Sequence, residues 1–254
     1  KSPSDCFDTA LEACRIAVTY RTPVIMLSDG YLGNGAEPWK VPDLAEIPRI
    51  DPRFATEPNT TAADGSPRFM PYRRDPQTLA RPWALPGTKG LEHRVGGLEK
   101  SAHTGAISYD PANHEEMVAT RAAKVKGIAK TIPPTAVDDP SGDADVLVLG
   151  WGSAYGPITA AVRRVRARGL SIAQAHVRHL NPLPEDLGDV LRRYRQIVVP
   201  EMNTGQFAML LRSKYLIDVK AISRVRGLPI PPVDLCDELC RHCGGKGSDD
   251  MREA

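Results

Sequence analysis

The sequence predicts an α/β protein whose most regular part is a parallel sheet with helices on both faces. From residue 143 onward, short apolar runs alternate with helical patterns of about 10–12 residues, as in α/β folds with parallel strands. The apolar runs are continuous, which is typical of strands buried on both faces. Glycine or proline stands at several of the junctions. With 41% hydrophobic and 25% charged residues, the chain has enough apolar surface to form a core.

We place this α/β domain at residues 143–225, a length within the usual range for a domain. Its strands and helices alternate along the chain. The predicted strands are Asp145–Gly150, Ser171–Val177, Gln196–Pro200 and Val219–Ser223. The predicted helices are Pro157–Arg168, which Gly169 ends, Glu185–Arg195 and Gln206–Tyr215.

Residues 1–36 contain one predicted helix followed by one predicted strand. Ser2 can cap the helix, and Pro3 suits its first position. The apolar run Pro23–Leu27 predicts a buried parallel strand, and the turn residues Ser28–Gly30 end it. Because one helix and one strand cannot bury both of their faces, we expect this pair to need a sheet from outside the chain. The apolar face of the helix is formed by Phe7, Ala10, Leu11, Cys14, Ala17 and Val18.

Residues 37–142 form a proline-rich connector, since 14 of the chain's 23 prolines lie between Glu37 and Pro140. Proline excludes long helices from most of this segment. A disordered linker is the simplest interpretation, but solvated linkers rarely contain many large aromatic residues. We therefore expect an extended, ordered connection with one helix near Asn113–Lys126. The aromatic residues are Trp39, Phe54, Phe69, Tyr72 and Trp83.

Charge and composition exclude several classes of function. The net charge of +2 gives no sign of binding to nucleic acid or to anionic membranes. No apolar run approaches the roughly 18 residues of a membrane span, and no apolar signal core opens the chain. Five cysteines without a secretory signal favour a reducing cytoplasm. The chain lacks an initiator methionine and begins inside a predicted helix, so we expect it to be part of a longer polypeptide.

The loop Gly150–Pro157 follows the first strand of the α/β domain, at the sheet end where open parallel sheets bind ligands. Gly150 and Gly152 match a dinucleotide-binding fingerprint, but Tyr155 occupies its third glycine position. The acidic residue expected about 20 positions later is absent as well. A tight strand-to-helix turn therefore explains the loop better than nucleotide binding. Its candidate interface or ligand residues are Trp151, Gly152, Ser153, Tyr155 and Gly156.

A second candidate loop, Glu201–Gln206, follows the strand Gln196–Pro200. Its polar side chains and the amides of the next helix could attract an anion. Helix capping explains the same residues without a ligand, with Asn203 or Thr204 as the cap and Gln206 near the third helical position. Capping is the favoured interpretation. The candidate residues of this loop are Glu201, Asn203, Gly205 and Gln206.

The histidines and the C-terminal cysteines give weaker signals. No pair of histidines has the helical spacing with an intervening glutamate that specifies a zinc protease. Each histidine, including the candidate His93, is expected to be a hydrogen-bonded structural or interface residue. Three cysteines beside His242 could form a zinc site or begin an iron–sulfur set, but we favour a frayed, partly disordered tail at residues 226–254 without metal. The cysteines are Cys236, Cys240 and Cys243.

Five strings of residues, taken in order, are similar to one known family. They are Tyr20–Leu32, Pro86–Thr88 with Gly90–His93, Ser108–His114 with Arg121–Val125, Gly150–Ser153, and Pro200–Gln206. Together they resemble the α subunit of 2-oxoacid:ferredoxin oxidoreductases, most closely the 2-oxoglutarate type. The resemblance extends over roughly residues 4 to 230.

The resemblance implies a fold and a reaction. Residues 1–36 are similar to the end of a thiamine-enzyme pyrimidine-type domain, and residues 143–225 are similar to the C-terminal domain of transketolase. In this family a 2-oxoacid is decarboxylated on thiamine diphosphate, electrons pass through an iron–sulfur cluster to ferredoxin, and coenzyme A accepts the acyl group. The diphosphate with its Mg²⁺ and the cluster are expected mainly on the β subunit, the partner of this chain.

The resemblance assigns no catalytic or cofactor-binding residue to this chain. The family's cofactor-facing glutamate and its substrate-contacting motif are expected before Lys1, so the chain alone should bind no cofactor and show no activity. Trp151–Gly156 and Glu201–Gln206 match family positions expected to face a neighbouring domain or subunit. Two alternatives stay open: a stand-alone nucleotide-binding module, or a relative specific for pyruvate or branched-chain 2-oxoacids.

Overall fold

A computed structural model describes residues 1–244. The chain divides into two compact units, which are each discontinuous in sequence. Unit 1 comprises Lys1–Thr9, Leu27–Lys40 and the chain from Thr131 onward, and unit 2 comprises Ala10–Met26 and Val41–Lys130.

Strands and helices follow one another along the described chain. The strands are β1 (Phe54–Ala55), β2 (Thr60–Thr61), β3 (Pro67–Arg68), β4 (Trp83–Ala84), β5 (Val137–Asp138), β6 (Val146–Trp151), β7 (Ala173–Val177), β8 (Gln196–Glu201) and β9 (Val219–Ser223). The helices are α1 (Asp5–Tyr20), α2 (Gly30–Asn34), α3 (Pro111–Ile128), α4 (Tyr155–Ala167), α5 (Leu187–Arg192), α6 (Gln206–Tyr215) and α7 (Pro232–His242). Among these residues, no helix combines the length and the apolar character that crossing a membrane requires.

Unit 1 contains a five-stranded sheet in the order β5-β7-β6-β8-β9. β7, β6, β8 and β9 are parallel, and the two-residue β5 pairs antiparallel with β7. This confirms the predicted parallel sheet, and the bounds predicted for α6 and β9 agree with the structure. The predicted helix before β8 is shorter than expected, because only Leu187–Arg192 is helical.

Two separate cores cover the two faces of this sheet, because successive strand residues point to opposite faces. Leu147 and Leu149 of β6 pack on one face with α5 and α6. Val146 and Val148 of the same strand pack on the other face with α4 and α7. All four side chains are buried. The uninterrupted apolar run of β6 is therefore explained by burial on both sides.

Helix α7 corrects the expectation of a frayed tail. Four of its residues are fully buried against α4 and β6. Their spacing along the helix forms one apolar face, and the two cysteines among them pack as small apolar residues. Residues 245–248, which the sequence suggested to be disordered, lie outside the described part of the chain. The buried residues of α7 are Leu235, Cys236, Leu239 and Cys240.

Unit 2 has little regular structure apart from helices. β1 pairs with β4 in parallel, and β2 with β3 antiparallel, each over two residues. The helix predicted near residues 113–126 is confirmed as α3, which Asp110 caps by accepting a hydrogen bond from the Ala112 amide at 3.0 Å. Ile128 of α3 packs with Ile16 and Tyr20 of α1. The predicted apolar face of α1 is thus only partly right, and Cys14 on that face is exposed.

The run Pro23–Leu27, predicted to be a buried strand, is not a strand in this structure. Ile25 is 83% exposed and Leu27 is 65% exposed. A strand requires a neighbouring strand to satisfy its backbone groups, and no described segment pairs with this run. An apolar run of this kind forms a strand only where another strand is present to pair with it.

Candidate functional site

The two candidate loops of unit 1 lie next to each other at one edge of the sheet. β6 and β8 are parallel neighbours, in register from Val146 with Gln196 to Val148 with Val198. The loops that follow them therefore leave from the same end of the sheet, as the sequence predicted.

Glu201, the last residue of β8, is the centre of this edge. Its side chain is 1% exposed. The carboxylate accepts hydrogen bonds from the backbone amides of Phe207 and Ala208, both at 3.0 Å. It also accepts them from the Asn203 amide group at 2.9 Å and from Trp151 Nε1 at 3.3 Å. Three of these donors bond to Oε2 and one, the Ala208 amide, bonds to Oε1, and the burial of the residue closes the carboxylate to solvent.

The polar residues of this loop do serve the start of α6, but the predicted cap is wrong, because Gly205 is the N-cap residue and makes no side-chain cap bond. Asn203 Oδ1 accepts hydrogen bonds from the amides of Gly205 at 2.7 Å and Gln206 at 3.1 Å. Gly205, at φ +89°, is the residue that precedes the helix, and Gln206 is the first helical residue rather than the third. The carboxylate of Glu201 supplies the anion that the amino end of α6 attracts.

Trp151 connects the two loops. Its indole lies 6.3 Å from the ring of Phe207, centroid to centroid, in addition to its hydrogen bond to Glu201. An indole that is partly buried between an aromatic ring and a carboxylate is held in one orientation. The arrangement fixes the geometry of this edge of the sheet.

The glycines of the first loop serve packing and turn geometry. A side chain at Gly150 would place its Cβ 2.5 Å from Ile158 Cδ1 and 3.3 Å from His176 Nδ1. Gly152 has φ +57°, a conformation that glycine adopts without strain, and starts a short 3₁₀ turn that leads into α4. Gly156 is exposed in the first turn of α4. The predicted tight turn is therefore present.

Ser153 joins this turn to a segment that the sequence did not connect with it. The Ser153 hydroxyl donates a hydrogen bond to Asp29 Oδ2, while Asp29 Oδ1 accepts one from the Leu32 amide at 3.0 Å and caps α2. Ser153 is buried. The Ser28–Gly30 turn chemistry was visible in the sequence, but its distant partner was not.

Tyr155 and His176 form an aromatic pair beside the same turn. Their rings meet edge to face at 5.1 Å. Burial lowers the pKa of His176 from 6.5 to about 4, and the positive charges of the N-terminal amine and Lys1 add to the effect. Nδ1 of His176 is buried and has no hydrogen-bond partner among the described residues. A neutral, apolar-packed imidazole fits this environment.

The folded state should therefore lose stability in acid through His176. Because the pKa of His176 is lower in the folded state, the unfolded chain takes up the proton first as the pH falls. The free energy of unfolding is therefore highest above pH 6.5 and declines as the pH falls towards 4. We expect the free energy of unfolding to drop by about 2 kcal/mol between about pH 7 and 5. Urea unfolding at both pH values measures this. Between about pH 7 and 5, the free energy of unfolding of His176→Asn should fall by about 2 kcal/mol less than that of the unmodified chain. The exposed His103→Gln is the control, and equal pH profiles for both variants would contradict the assignment.

The remaining candidates do not join this edge. His93 belongs to unit 2, where its Nδ1 lies 2.7 Å from the Leu91 carbonyl and its ring packs on Phe69 at 5.2 Å. It is a hydrogen-bonded structural histidine, as expected. The thiols of Cys236 and Cys240 are buried in α7. Among residues 1–244, no three side chains of histidine, cysteine, aspartate or glutamate converge as a metal site would require.

Two family models match the chain. Residues 1–108 match a model described as pyruvate flavodoxin/ferredoxin oxidoreductase, thiamine diP-binding. Residues 144–237 match the pyruvate:ferredoxin oxidoreductase core domain II, which contains both candidate loops.

Relatives with 2-oxoglutarate in their names are similar over most of this chain. It is 54% identical over 241 residues to the 2-oxoglutarate oxidoreductase subunit KorA of Mycobacterium tuberculosis. The aligned region covers 95% of this chain and 35% of that protein. It is 28% identical to the 2-oxoglutarate synthase subunit KorA of Methanothermobacter marburgensis, over 81% of this chain and 52% of the relative. The chain thus spans about a third to a half of the length of these proteins.

A solved structure shares the fold. The 2-oxoglutarate:ferredoxin oxidoreductase from Magnetococcus marinus, with 2-oxoglutarate, coenzyme A and succinyl-CoA bound, superimposes with a TM-score of 0.82 at 29% identity. The match covers 94% of this chain and 40% of that chain.

Proposed function

This chain belongs to the family of 2-oxoacid:ferredoxin oxidoreductase α subunits, and on this premise we propose that it forms part of an enzyme that oxidatively decarboxylates 2-oxoglutarate. Coenzyme A would accept the acyl group and ferredoxin the electrons. One observation supports the choice of oxoacid above the others: the extensive identity with the Mycobacterium tuberculosis subunit, which is named for 2-oxoglutarate.

Within that enzyme, we assign separate roles to the segments of the chain. Residues 1–36 would complete a pyrimidine-type domain, residues 37–142 would form the connector, and residues 143–225 the transketolase C-terminal-like domain. Residues 226–254 would follow as an extension. The exposed run at residues 24–27 supports the first assignment, because it is a strand sequence without a neighbouring strand in the described chain.

The polar groups of the candidate loops do not fit thiamine diphosphate or its Mg²⁺. Mg²⁺ requires oxygen ligands that are free to coordinate it. The carboxylate oxygens of Glu201 and the side-chain oxygen of Asn203 are already engaged by donors within the loop. We therefore propose that the diphosphate and Mg²⁺ are held by the β subunit, and that this chain contributes no ligand to them from these loops.

The cysteines of α7 do not fit an iron–sulfur cluster. Burial raises the pKa values of the Cys236 and Cys243 thiols to about 11, and the nearby Cys240 adds to both. Cys236 and Cys240 pack in the apolar core that α4 and α7 share, and among residues 1–244 no three potential ligands converge as a cluster site requires. The cluster of the assembled enzyme is accordingly proposed on the β subunit.

The two loops would instead serve assembly. Glu201 and Trp151 hold the edge of the sheet rigid, while Tyr155 is partly exposed and Gly156 and Gln206 are exposed. An internally hydrogen-bonded edge that presents a few accessible residues suits contact with a neighbouring domain or subunit. Cytoplasmic location would follow from partnership with ferredoxin.

Activity of the assembled enzyme tests the proposal. We expect the complete α subunit that contains this chain, produced with its β subunit, to reduce ferredoxin or methyl viologen with 2-oxoglutarate and coenzyme A. Pyruvate and 2-oxoisovalerate should give kcat/KM values lower by about tenfold or more. The 254-residue chain alone should not turn over 2-oxoglutarate.

Two outcomes would count against it. A complete, soluble assembly without activity towards any of the three oxoacids would exclude the enzyme. Turnover by the isolated chain would exclude the division of labour between the subunits.

A further inference from the structure

Unit 2 contains a cleft of about 620 Å³ with an unusual concentration of arginines. Residues from the end of α1, from 49–53, and from 73–82 line it, together with Asn59. Seven of the lining residues are arginines, and only two, Asp51 and Asp75, are acidic. The cleft is therefore strongly positive in a chain whose overall charge is close to balance.

The two aspartates offset the arginines only in part: Asp51 partly counters the lowering of the Arg21 pKa, and the charge of Arg53 is among the lesser causes that lower the pKa of Asp75. Asp75 Oδ1 accepts hydrogen bonds from the Gln77 amide at 3.0 Å, from the Thr78 amide at 2.7 Å and from the Thr78 hydroxyl at 2.8 Å. These bonds hold the pKa of Asp75 below its usual value, with those from Thr78 the main cause. Asp51 Oδ1 accepts from the Arg53 backbone amide at 2.9 Å. Both carboxylates thus serve local turns.

Other counter-charges are few: burial lowers the pKa of Arg74, and the nearby Glu116 partly counters this without forming an ion pair with it. Within residues 1–244, Arg15 is the only one of the seven that makes an ion pair, with Glu12 at 3.7 Å. Arginines that serve structure alone are usually paired with carboxylates when they are brought together, because like charges repel. The other six have no such pair within this part of the chain: Arg21, Arg49, Arg53, Arg73, Arg74 and Arg81.

Several guanidinium groups are held in place by neutral partners. Arg21 donates to the carbonyls of Val18 and Pro52, and its guanidinium lies over the Trp83 ring at 4.0 Å from the centroid. Its Nε is buried without a hydrogen-bond partner among the described residues. Arg74 donates to the Ala102 carbonyl at 2.8 Å. Groups that are oriented in this way lose little entropy when they bind a ligand.

The positive charges affect one another. Burial lowers the pKa of Arg21, and the charges of Arg81 and Arg53 lower it further. Burial also lowers the pKa of Lys124, with Arg74, Arg81 and Arg21 as the next causes. The neighbouring positive charges therefore disfavour the charged forms of Arg21 and Lys124, and a bound anion would relieve this repulsion.

We propose that this cleft binds a small anion with two or more phosphate groups. Planar guanidinium groups match phosphate oxygens with paired hydrogen bonds, which single ammonium groups cannot do. A volume of about 620 Å³ lies within the range of small-molecule sites. A concave site of this size favours a compact ligand over the flat surface of an acidic protein. Binding at this cleft can be measured without turnover.

Calorimetry with the 254-residue chain at low salt, about 50 mM, tests the site. We expect pyrophosphate to bind with a Kd of about 100 µM or tighter, and orthophosphate about tenfold more weakly. ADP is the second probe. Equal affinity for ADP and pyrophosphate indicates recognition of the diphosphate itself, and tighter binding of ADP indicates that the nucleoside is also recognised.

A pair of double variants separates the cleft from general charge effects. Arg49 and Arg53 are exposed at the cleft, and no described partner bonds to their side chains. Arg49→Gln with Arg53→Gln should weaken pyrophosphate binding by about tenfold or more. The control is Arg193→Gln with Arg226→Gln, which removes the same charge from exposed positions of unit 1 and should change binding by less than about twofold. Circular dichroism should confirm that both variants are folded.

Three results would overturn the proposal. They are the absence of pyrophosphate binding at about 1 mM, equal losses in the two double variants, and binding that the cleft variant leaves unchanged. In each case the arginines would have to be explained by an acidic protein surface.

Discussion

Replacing Glu201 with alanine is expected to lower the free energy of unfolding of the chain by about 4 kcal/mol. The carboxylate is 1% exposed and accepts four hydrogen bonds. Its removal leaves the amides of Phe207 and Ala208 buried without an acceptor, at a cost of about 1–3 kcal/mol each. It also removes the negative charge from the amino end of α6. Urea unfolding followed by circular dichroism measures the loss.

Two further variants make this result specific. Glu201→Gln keeps one acceptor oxygen but places an NH₂ group against donors that then lose their acceptor. We expect it to lower the free energy of unfolding by about 2 kcal/mol, which is less than for Glu201→Ala. Glu185→Ala removes an exposed carboxylate and should change stability by less than about 0.5 kcal/mol. Hydrogen exchange at the Phe207 and Ala208 amides should accelerate only in the Glu201 variants. Similar urea midpoints for Glu201→Ala and Glu185→Ala would refute the capping role.

Leu235→Ala in α7 should cost about 3 kcal/mol, the usual penalty for truncating a fully buried leucine. The side chain is 0% exposed and packs in the core that α4 and α7 share. The matched control is Val233→Ala on the same helix, where the side chain is 54% exposed and a loss below about 1 kcal/mol is expected. Thermal unfolding of the two variants provides the comparison.

The same pair of variants tests whether α7 belongs to the folded domain. A frayed tail would make Leu235→Ala as harmless as Val233→Ala. A difference of several degrees in Tm between them, with the leucine variant lower, is the expected result.

The sequence predicted the sheet of unit 1 well because its signals are local and agree with one another. β8, α6 and β9 were placed within one residue of their observed bounds. A continuous apolar run identifies a strand buried on both faces, and regular alternation with helices identifies parallel connections. The cap of α6 was predicted at the wrong residue, because Gly205 takes the N-cap position and the carboxylate of Glu201 bonds the amides of Phe207 and Ala208.

Other features depend on contacts between residues far apart in sequence, which no local pattern reveals. The bond between Ser153 and Asp29 joins positions 124 residues apart. The arginines of the cleft are distributed from Arg15 to Arg81. The dual role of Glu201, as acceptor for α6 and for Trp151, required the two loops to be adjacent. The run at residues 23–27 was wrongly predicted to be a strand, because a strand needs a pairing partner and the composition of the run does not reveal whether one is present.

The discontinuity of unit 1 has a consequence for the order in which the chain folds. During synthesis the ribosome delivers Asp29 early, but Ser153 follows only after more than a hundred further residues. At about 5–20 residues per second, the first part of the unit must wait several seconds for its partner. The hydrogen bond between the amino-terminal segment and the turn before α4 can therefore form only after residue 153 has been synthesised.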